Sequence, residues 1–287
     1  ELLRSAEPAE GSWICLAFDD RGRFYLSSED AGKPVFRGTL NAAGNLDRLE
    51  AVPAPLGQAM GILHAHDSLY LNARGPEGNG LYRLIDRNGN DRFDTNEWRL
   101  LKAFPTGGEH GYHALALGPE GRIYVMNGNM TRPPEGLSSH SPYRHFSDDV
   151  LSLNPDESPT AAGIKAPAGY IVRTDAEGRE WDLFLGGLRN AYGFDFSPDG
   201  ELFTFDSDNE WNWGTPWYVP TRILHGVSGA DYGWRDGVRI WPEDQPESLP
   251  PVLNVGIGSP CGGPKSPLSE PPVSTGTAAW ACEGALS

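Results

Sequence analysis

One histidine of this chain stands where it could act as an acid–base catalyst. The segment GGEHGYHALALGPEGRIY, residues 107–124, places His110 just ahead of an apolar run that leads into a Gly-Pro turn. An imidazole ionises near neutral pH and can therefore accept a proton from a substrate hydroxyl. His113 follows three residues later and could face another direction. For a lone histidine, spacing alone favours a structural hydrogen-bonding role.

A charged side chain and a carboxamide precede a second apolar run in the same manner. The segment GLRNAYGFDFSPDGELFTFDSD, residues 187–208, carries Arg189 and Asn190 shortly before the run FDF. A guanidinium and an amide offer several fixed N–H donors, which suit an anionic or quinone-like ligand. The alternative is structural, with Arg189 paired to a carboxylate and Asn190 capping a turn.

A third segment, LIDRNGNDRFDTNEW, has the spacing of a calcium-binding loop. Positions 1, 3, 5, 9 and 12 carry oxygen side chains and position 7 supplies a main-chain carbonyl, so that the ligands are Asp86, Asn88, Asn90, Arg92, Asp94 and Glu97. This is the spacing of an EF-hand loop. Asp91 occupies position 6, where glycine normally makes a sharp turn. The alternative is a polar hairpin tip that holds no ion.

Three tryptophans lie among acidic residues in DSDNEWNWGTPWY, residues 206–218. Aromatic faces beside carboxylates suit sugar rings, which stack on tryptophan and hydrogen-bond to acids. Such residues also suit ordinary packing in loops, and we favour packing here.

Repeated hairpins must position these groups. Four segments share an apolar run, a polar turn with Gly or Asp, and a second apolar run with an aromatic residue near its start: residues 16–28, 62–73, 115–127 and 194–206. Their aromatic residues, Tyr25, Tyr70, Tyr124 and Phe203, are 45, 54 and 79 residues apart. Alternation around a turn predicts β-hairpins. Repeats of about 40–50 residues with four strands each are typical of propeller blades.

We therefore predict an all-β fold, a β-propeller of the six-bladed type that is incomplete, with about five blades, over residues 1–258. Residues 131–170 are rich in Pro, Ser and Gly and predict a loop insertion around a short strand at 149–153. Long loops of this kind often line a site, although a surface excursion without function is equally compatible. Residues 259–287 lack alternation and predict an irregular C-terminal tail.

Composition limits the classes of partner. The chain has 39 acidic and 23 basic residues, a formal net charge of −16, which disfavours nucleic acid and is compatible with divalent cations. No apolar stretch is long enough to span a membrane. Three cysteines, Cys15, Cys261 and Cys282, argue by their odd number against a disulfide scaffold. The triplet Asn129-Met130-Thr131 fits a glycosylation sequon, a pattern that is common by chance.

The segments HGYHALALGPEGRIY and GLRNAYGFDFSPDGELF together resemble the soluble quinoprotein glucose and sorbosone (aldose sugar) dehydrogenases. These depend on pyrroloquinoline quinone (PQQ) and are six-bladed propellers. The chain is more similar still to the propeller domain of large bacterial membrane-bound-dehydrogenase-like proteins that often carry a c-type haem domain. In that group TPWYVPTRILHGVSGADYGWRDG, residues 215–237, also has a counterpart. The resemblance runs from about residue 1 to residue 259 and is strongest over 107–129 and 186–259.

The resemblance implies a role for each matched residue. His110 matches the catalytic base, and Arg189 and Asn190 match the residues that hold PQQ. The family's reaction would then apply, in which His110 takes a hydroxyl proton while hydride passes to the quinone. It further implies a sugar or alcohol substrate, a c-type cytochrome as electron acceptor, and a periplasmic or secreted location.

Two other functions stay open at this stage. The chain could be a calcium-binding propeller that binds carbohydrate or protein without turnover, because fold alone does not imply catalysis. It could instead be a calcium-dependent hydrolase or lactonase of another propeller family. That function needs a central metal held by carboxylates, and the sequence offers no convincing set.

Overall fold

The computed structural model describes residues 3–106, 110–146, 164–209, 213–214, 218–235 and 248–258. Over these residues the chain is all-β, with sixteen strands in four antiparallel sheets and no helix. The described chain falls into two compact units, one up to Pro105 and one from Thr106 onward. A helix long and apolar enough to cross a membrane is absent from the described ranges.

The first unit contains two four-stranded sheets in which neighbouring strands follow chain order. One is formed by β1 (Trp13–Phe18), β2 (Phe24–Ser28), β3 (Phe36–Leu40) and β4 (Leu46–Ala51). The other is formed by β5 (Gly57–Ala65), β6 (Ser68–Gly75), β7 (Gly78–Leu84) and β8 (Trp98–Ala103).

The second unit repeats this arrangement and carries the candidate site. Its first sheet comprises β9 (Tyr112–Leu117), β10 (Ile123–Asn127), β11 (Gly169–Thr174) and β12 (Trp181–Leu188). Its second sheet comprises β13 (Phe194–Phe196), β14 (Leu202–Asp206), β15 (Thr221–His225) and β16 (Leu253–Gly256). Four-stranded meanders of this kind are the blades of a propeller.

The four predicted hairpins are confirmed, and each is the first hairpin of its sheet: β1–β2, β5–β6, β9–β10 and β13–β14. Three of their turns share one geometry, since a glycine at their fourth position, Gly22, Gly121 or Gly200, has φ of 74°, 78° or 86°. The β5–β6 turn instead uses His66 and Asp67, at φ of 50° and 51°. Turns in which both central residues are left-handed match the twist of paired strands.

The recurrent aromatic residue of each hairpin contributes to packing. Tyr25, Tyr70 and Tyr124 are buried. The Tyr124 ring lies edge-on to Phe184 of its own sheet at 5.1 Å and to Phe196 of the next sheet at 5.0 Å. Each such pair is worth about 0.5–1.5 kcal/mol beyond its buried area. These contacts hold the two sheets of the second unit together.

The all-β prediction is confirmed, whereas the predicted number of blades is not reproduced. The described residues form four sheets rather than about five, and closure into a six-bladed ring is not seen in them. The predicted insertion lies between β10 and β11, although β11 already begins at Gly169. The strand predicted at 149–153 and the tail predicted at 259–287 lie outside the described residues. The single propeller domain predicted over 1–258 stays a prediction.

Candidate functional site

The candidate site lies where three segments of the second unit meet: the loop before β9, the end of β10 and the loop between β12 and β13. Main-chain hydrogen bonds join them, from Asn129 N to Arg189 O at 2.9 Å and from Met130 N to His110 O at 3.2 Å. The structure therefore brings His110 and the Arg189–Asn190 pair together, with Asn129 bonded to both. Segments 77–79 residues apart in sequence become neighbours because adjacent sheets pack face to face.

His110 is held in one orientation by a carboxamide. It is 5% exposed, and its Nδ1 lies 2.7 Å from Oδ1 of Asn129. Because a carboxamide oxygen only accepts, Nδ1 must carry the proton. In the neutral ring the lone pair therefore resides on Nε2. That arrangement is the one a general base needs, with one nitrogen anchored and the other basic.

A buried carboxylate fixes the main chain of the Arg-Asn pair. Asp206, at the end of β14, is 1% exposed and accepts the main-chain N–H of Arg189 at 2.8 Å and that of Asn190 at 2.9 Å. Arg222 Nη2 approaches the same carboxylate at 3.5 Å. Two consecutive N–H groups of an irregular loop thus obtain an ionised acceptor in the interior, where an unpaired N–H is unfavourable.

Glycine before this pair is required by close approach. Gly187 has φ of 76°, and a Cβ there would lie 2.0 Å from Asp231 Oδ1 and 2.5 Å from Tyr232 N. The segment passes directly beside residues 230–234, with Trp234 N donating to Gly187 O at 2.9 Å. Only a residue without a side chain fits this position.

The side chains of the pair have separate partners. Arg189 is buried, and its Nη1 donates to Ser207 Oγ at 3.1 Å. Asn190 is half-buried, and its Oδ1 lies 2.7 Å from Nε2 of His113. The carboxamide of Asn190 therefore contacts a histidine ring instead of capping a turn, and His113 belongs to the site rather than facing away.

The donors of this site fit an anionic quinone such as PQQ. Asn129 Nδ2 is buried and has no hydrogen-bond partner in the described part of the chain. The NH₂ group of Asn190 likewise finds no acceptor among the described residues, while Asn190 itself is only half-buried. Together with the Arg189 guanidinium, these N–H groups suit the carboxylate and carbonyl oxygens of such a ligand.

The predicted calcium loop connects β7 and β8 in the first unit. Asp86 Oδ1 accepts the N–H groups of Gly89 and Asn90, at 2.8 and 3.1 Å, and its Oδ2 accepts that of Asp91 at 2.9 Å. The side chain of Glu97, which is buried, accepts two further main-chain N–H groups of the loop. Throughout the described ranges, no three acidic, histidine or cysteine side chains form a group that could hold a metal. The carboxylate oxygens of Asp86 and Glu97 therefore accept hydrogen bonds from main-chain N–H groups of the loop.

Asp91 adopts the conformation that position 6 of such a loop needs, with φ of 59°. Aspartate is one of the few side chains that tolerates this region. Its carboxylate accepts Arg23 Nη1 at 2.7 Å and Arg21 Nη1 at 3.3 Å, and its main-chain oxygen accepts Arg37 Nη1 at 3.1 Å. The hydrogen bond from Arg23 lowers the pKa of Asp91. Asp91, which replaces the usual glycine at position 6, thus connects the loop to arginines of the first sheet and its turn.

The aromatic–acidic segment is described in part. Trp213 is 61% exposed and lies 5.1 Å from the ring of Tyr218, whose hydroxyl donates to Asp208 at 2.7 Å. Trp211 and Trp217 lie outside the described residues. Trp213 thus packs against Tyr218 of its own segment while staying largely exposed, and the packing interpretation for the three tryptophans stays a prediction.

Three residues of the candidate site were not predicted from the sequence. Asn129 and Asp206 were seen only as parts of a sequon and of an acidic segment, and His113 was not connected to Asn190. Asp206 is the last residue of β14, the second strand of the hairpin that follows Arg189 and Asn190. Because the two strands of a hairpin are antiparallel, the end of β14 lies beside the loop that precedes β13, which is a signal that the Asp206 carboxylate is near that loop. The contact between His113 and Asn190 has no comparable signal, because His113 lies on β9 whereas Asn190 lies 77 residues later, in the loop between β12 and β13.

Comparison with solved structures gives several likenesses over most of the chain. The PQQ-bound aldose sugar dehydrogenase of Streptomyces coelicolor matches with a TM-score of 0.59 and 18% identity over 92% of this chain and 74% of that one. An oxidoreductase of Thermus thermophilus described as a glucose dehydrogenase matches with a TM-score of 0.58 and 22% identity, covering 91% and 76%. The holo PQQ domain of a pyranose dehydrogenase from Coprinopsis cinerea matches with a TM-score of 0.51 and 11% identity, covering 79% and 54%.

No protein-family model and no curated protein matches the chain. At these identities the likeness concerns the fold. The chain therefore shares the β-propeller fold of oxidoreductases that include PQQ-dependent sugar dehydrogenases.

Proposed function

We propose that this chain is a PQQ-dependent oxidoreductase domain that acts on a sugar or alcohol, with His110 as its general base. One observation carries the proposal: Asn129 accepts a hydrogen bond from His110 Nδ1–H through its side-chain oxygen and donates one to Arg189 O through its main-chain N–H. A candidate base and a candidate anion-binding pair thereby share one rigid support. The structural likeness to PQQ-bound dehydrogenases supports the same conclusion.

Arg189, Asn190 and Asn129 would hold the cofactor. A guanidinium and two carboxamide N–H groups can hydrogen-bond to carboxylate and carbonyl oxygens of PQQ. The bound quinone supplies the hydride acceptor, as cofactors generally supply the redox chemistry while the protein orients them. Asp206 holds the two main-chain N–H groups that place Arg189 and Asn190.

His110 would take the proton of the substrate hydroxyl on Nε2. Its Nδ1–H remains bonded to Asn129 Oδ1, so that the ring cannot rotate when Nε2 is protonated. The carboxamide dipole also stabilises the imidazolium, since its oxygen faces the charged ring. Positioned bases of this type contribute about 10²–10⁴-fold to rate.

The proposal extends to partners and location. We propose a small-molecule sugar or alcohol substrate, a c-type cytochrome as electron acceptor, and a periplasmic or secreted location. Each follows from the resemblance of residues 107–129 and 186–259 to the quinoprotein dehydrogenases.

Calcium binding by residues 86–97 is a second, separable proposal. The observation that favours it is the left-handed conformation of Asp91 at position 6, combined with oxygen donors at the other ligand positions. Loading would require Asp86 and Glu97 to exchange main-chain N–H groups for the ion. In the absence of turnover, this loop would still support a calcium-binding propeller.

Reconstitution tests the proposed function. The full chain is incubated with PQQ and Ca²⁺, PQQ binding is followed by fluorescence titration, and dye reduction is measured with a panel of aldoses and alcohols. His110→Ala should lower turnover by about 10²-fold or more while PQQ still binds. Arg189→Ala should weaken PQQ binding about tenfold or more, since it deletes a charged donor.

His140→Ala is the matched control, because His140 is an exposed histidine of the same unit. It should change neither quantity. Failure of the parent chain to bind PQQ at micromolar concentration refutes the proposed function. Turnover by His110→Ala equal to that of the parent refutes the role of the base.

A further inference from the structure

The two ends of the Asn190 carboxamide differ: its oxygen has a hydrogen-bond partner in the described part of the chain, and its NH₂ group has none. Its main-chain N–H is bonded to Asp206 at 2.9 Å, and its Oδ1 lies 2.7 Å from His113 Nε2. The NH₂ group meets no acceptor in the described part of the chain, and Asn190 is half-buried. A ligand that binds beside Asn190 therefore meets the two N–H donors of its NH₂ group and not its carbonyl oxygen.

His113 contacts the 189–193 loop at two places. It is the second residue of β9 and is 0% exposed. Its ring lies 4.4 Å from that of Tyr192, centroid to centroid, while its Nε2 meets Asn190. Burial lowers the pKa of His113 to about 4, so the ring is neutral at neutral pH. Since Oδ1 only accepts, the single ring proton resides on Nε2.

This contact distinguishes the two orientations of the carboxamide. Its oxygen and NH₂ group are of similar size, so that rotation by half a turn exchanges them with little change in packing. In the exchanged orientation the NH₂ group would face Nε2, so the pair would keep its hydrogen bond only if the ring proton moved from Nε2 to the buried Nδ1. The exchanged orientation therefore either loses this buried hydrogen bond or requires the other tautomer of a buried ring, and both disfavour it.

We propose that His113 is a positioning residue that sets which face of Asn190 the ligand meets, namely its N–H donors. The inference rests on the proposed function of the site and specifies the chemistry recognised there: an acceptor oxygen of the ligand, such as a quinone carbonyl or a carboxylate. A ligand that presents a donor at this point is disfavoured. His113 touches neither the substrate nor the cofactor in this role.

Paired substitutions at position 113 separate orientation from packing. Glutamine and methionine have similar length and volume, but only glutamine can donate to Asn190 Oδ1. In fluorescence titration of the full chain with PQQ, His113→Gln should bind within about threefold of the parent and His113→Met about tenfold more weakly. Thermal melts verify that both variants fold, and His140→Met controls for the substitution itself. Equal binding by the two position-113 variants overturns the proposal.

Asn190→Asp tests the donor face directly. Its carboxylate still accepts from His113 but offers the ligand an oxygen, and it should bind PQQ more weakly than Asn190→Ala does. His113→Met should lower affinity in the parent background and not in the Asn190→Ala background, because contacting residues with one shared function are non-additive. An equal loss in both backgrounds assigns His113 a merely structural role and overturns the proposal.

Ring ¹⁵N spectra of the cofactor-free chain distinguish this inference from the proposed function. The proposal requires a neutral His113 with its proton on Nε2, and a shift of that resonance in Asn190→Ala. A proton on Nδ1 overturns it irrespective of PQQ. A parent that shows the Nε2–H ring but binds no PQQ refutes the proposed cofactor, and with it the ligand assigned to the donor face.

Discussion

Removing the Asp206 carboxylate should dismantle the loop that carries Arg189 and Asn190. Asp206→Ala deletes the acceptor of two main-chain N–H groups, at 2.8 and 2.9 Å, in a position that is 1% exposed. Solvent cannot replace that acceptor without opening the loop. The same substitution leaves the guanidinium of Arg222 with one fewer acidic neighbour.

The expected loss in the free energy of unfolding can be estimated from these contacts. Each buried N–H left unsatisfied costs about 1–3 kcal/mol. Breaking a buried ion pair costs about 3–5 kcal/mol. At 3.5 Å the Arg222 contact is long, and Arg222 Nη1 keeps its bond to Tyr232 O at 3.0 Å, so only part of that value applies. We expect Asp206→Ala to lower the free energy of unfolding by about 3–5 kcal/mol, a large share of a typical 5–15 kcal/mol.

Urea unfolding of the full chain, with hydrogen exchange over residues 186–196, measures this effect. Protection of the Arg189 and Asn190 amides should fall with the free energy of unfolding. Asp206→Asn keeps one accepting oxygen and should lose about half as much. Asp199→Ala, at an exposed turn position, should stay within about 0.5 kcal/mol of the parent. A loss below about 1 kcal/mol for Asp206→Ala, with amide protection intact, would refute the reasoning.

Three further predictions concern the calcium loop, acid stability and a glycine. Calcium at a hundredfold excess over its dissociation constant should stabilise the fold by about 2.7 kcal/mol and raise Tm, and Asp86→Ala should abolish the rise; equal melting in chelator and in calcium contradicts the site. The pKa of Asp91 is lowered in the folded chain, so its contribution to stability is present above about pH 4 and is lost as the pH falls through the lowered value. Between pH 2 and 6, the Tm of Asp91→Asn should therefore fall less steeply with acid than that of the parent. Parallel curves of Tm against pH would show that Asp91 makes no such contribution. Gly187→Ala should destabilise by about 3 kcal/mol in urea unfolding, since its Cβ would meet Asp231, whereas Gly22→Ala, at nearly the same φ with nothing within 4 Å, should lose only about 1 kcal/mol; equal losses would show that the contact is relieved.

The hairpins could be predicted because their signals are local. Alternating residues flank a turn whose glycine or aspartate sits in the left-handed region, and all of this information lies within about a dozen residues. The number of blades could not be predicted in the same way. Within the interval between Tyr124 and Phe203, residues 131–170 were interpreted as an insertion above the blades. The rest of the interval supplies most of β11 and all of β12, two strands of an ordinary sheet.

The motifs of the candidate site could be found in the sequence, whereas the contacts between its residues could not. His110, Arg189 and Asn190 were recognised from short segments, and their proximity followed from their equivalent places before β9 and β13. The contacts that orient them join residues 17, 19 and 77 positions apart. Such pairs depend on the register of paired strands and on how neighbouring sheets pack, and the pattern of apolar residues does not specify the contacts of individual side chains.

The burial of Asn129 has a practical consequence for making this protein. The triplet Asn129-Met130-Thr131 is an acceptor sequence for N-linked glycans, which attach to the amide nitrogen. In the folded chain that nitrogen is enclosed and its oxygen holds His110, so a sugar chain there is incompatible with the native loop. A eukaryotic secretory host presents the triplet to its glycosylation machinery before folding is complete. Material from such a host would contain chains in which His110 has lost the support of Asn129, and bacterial expression avoids that fraction.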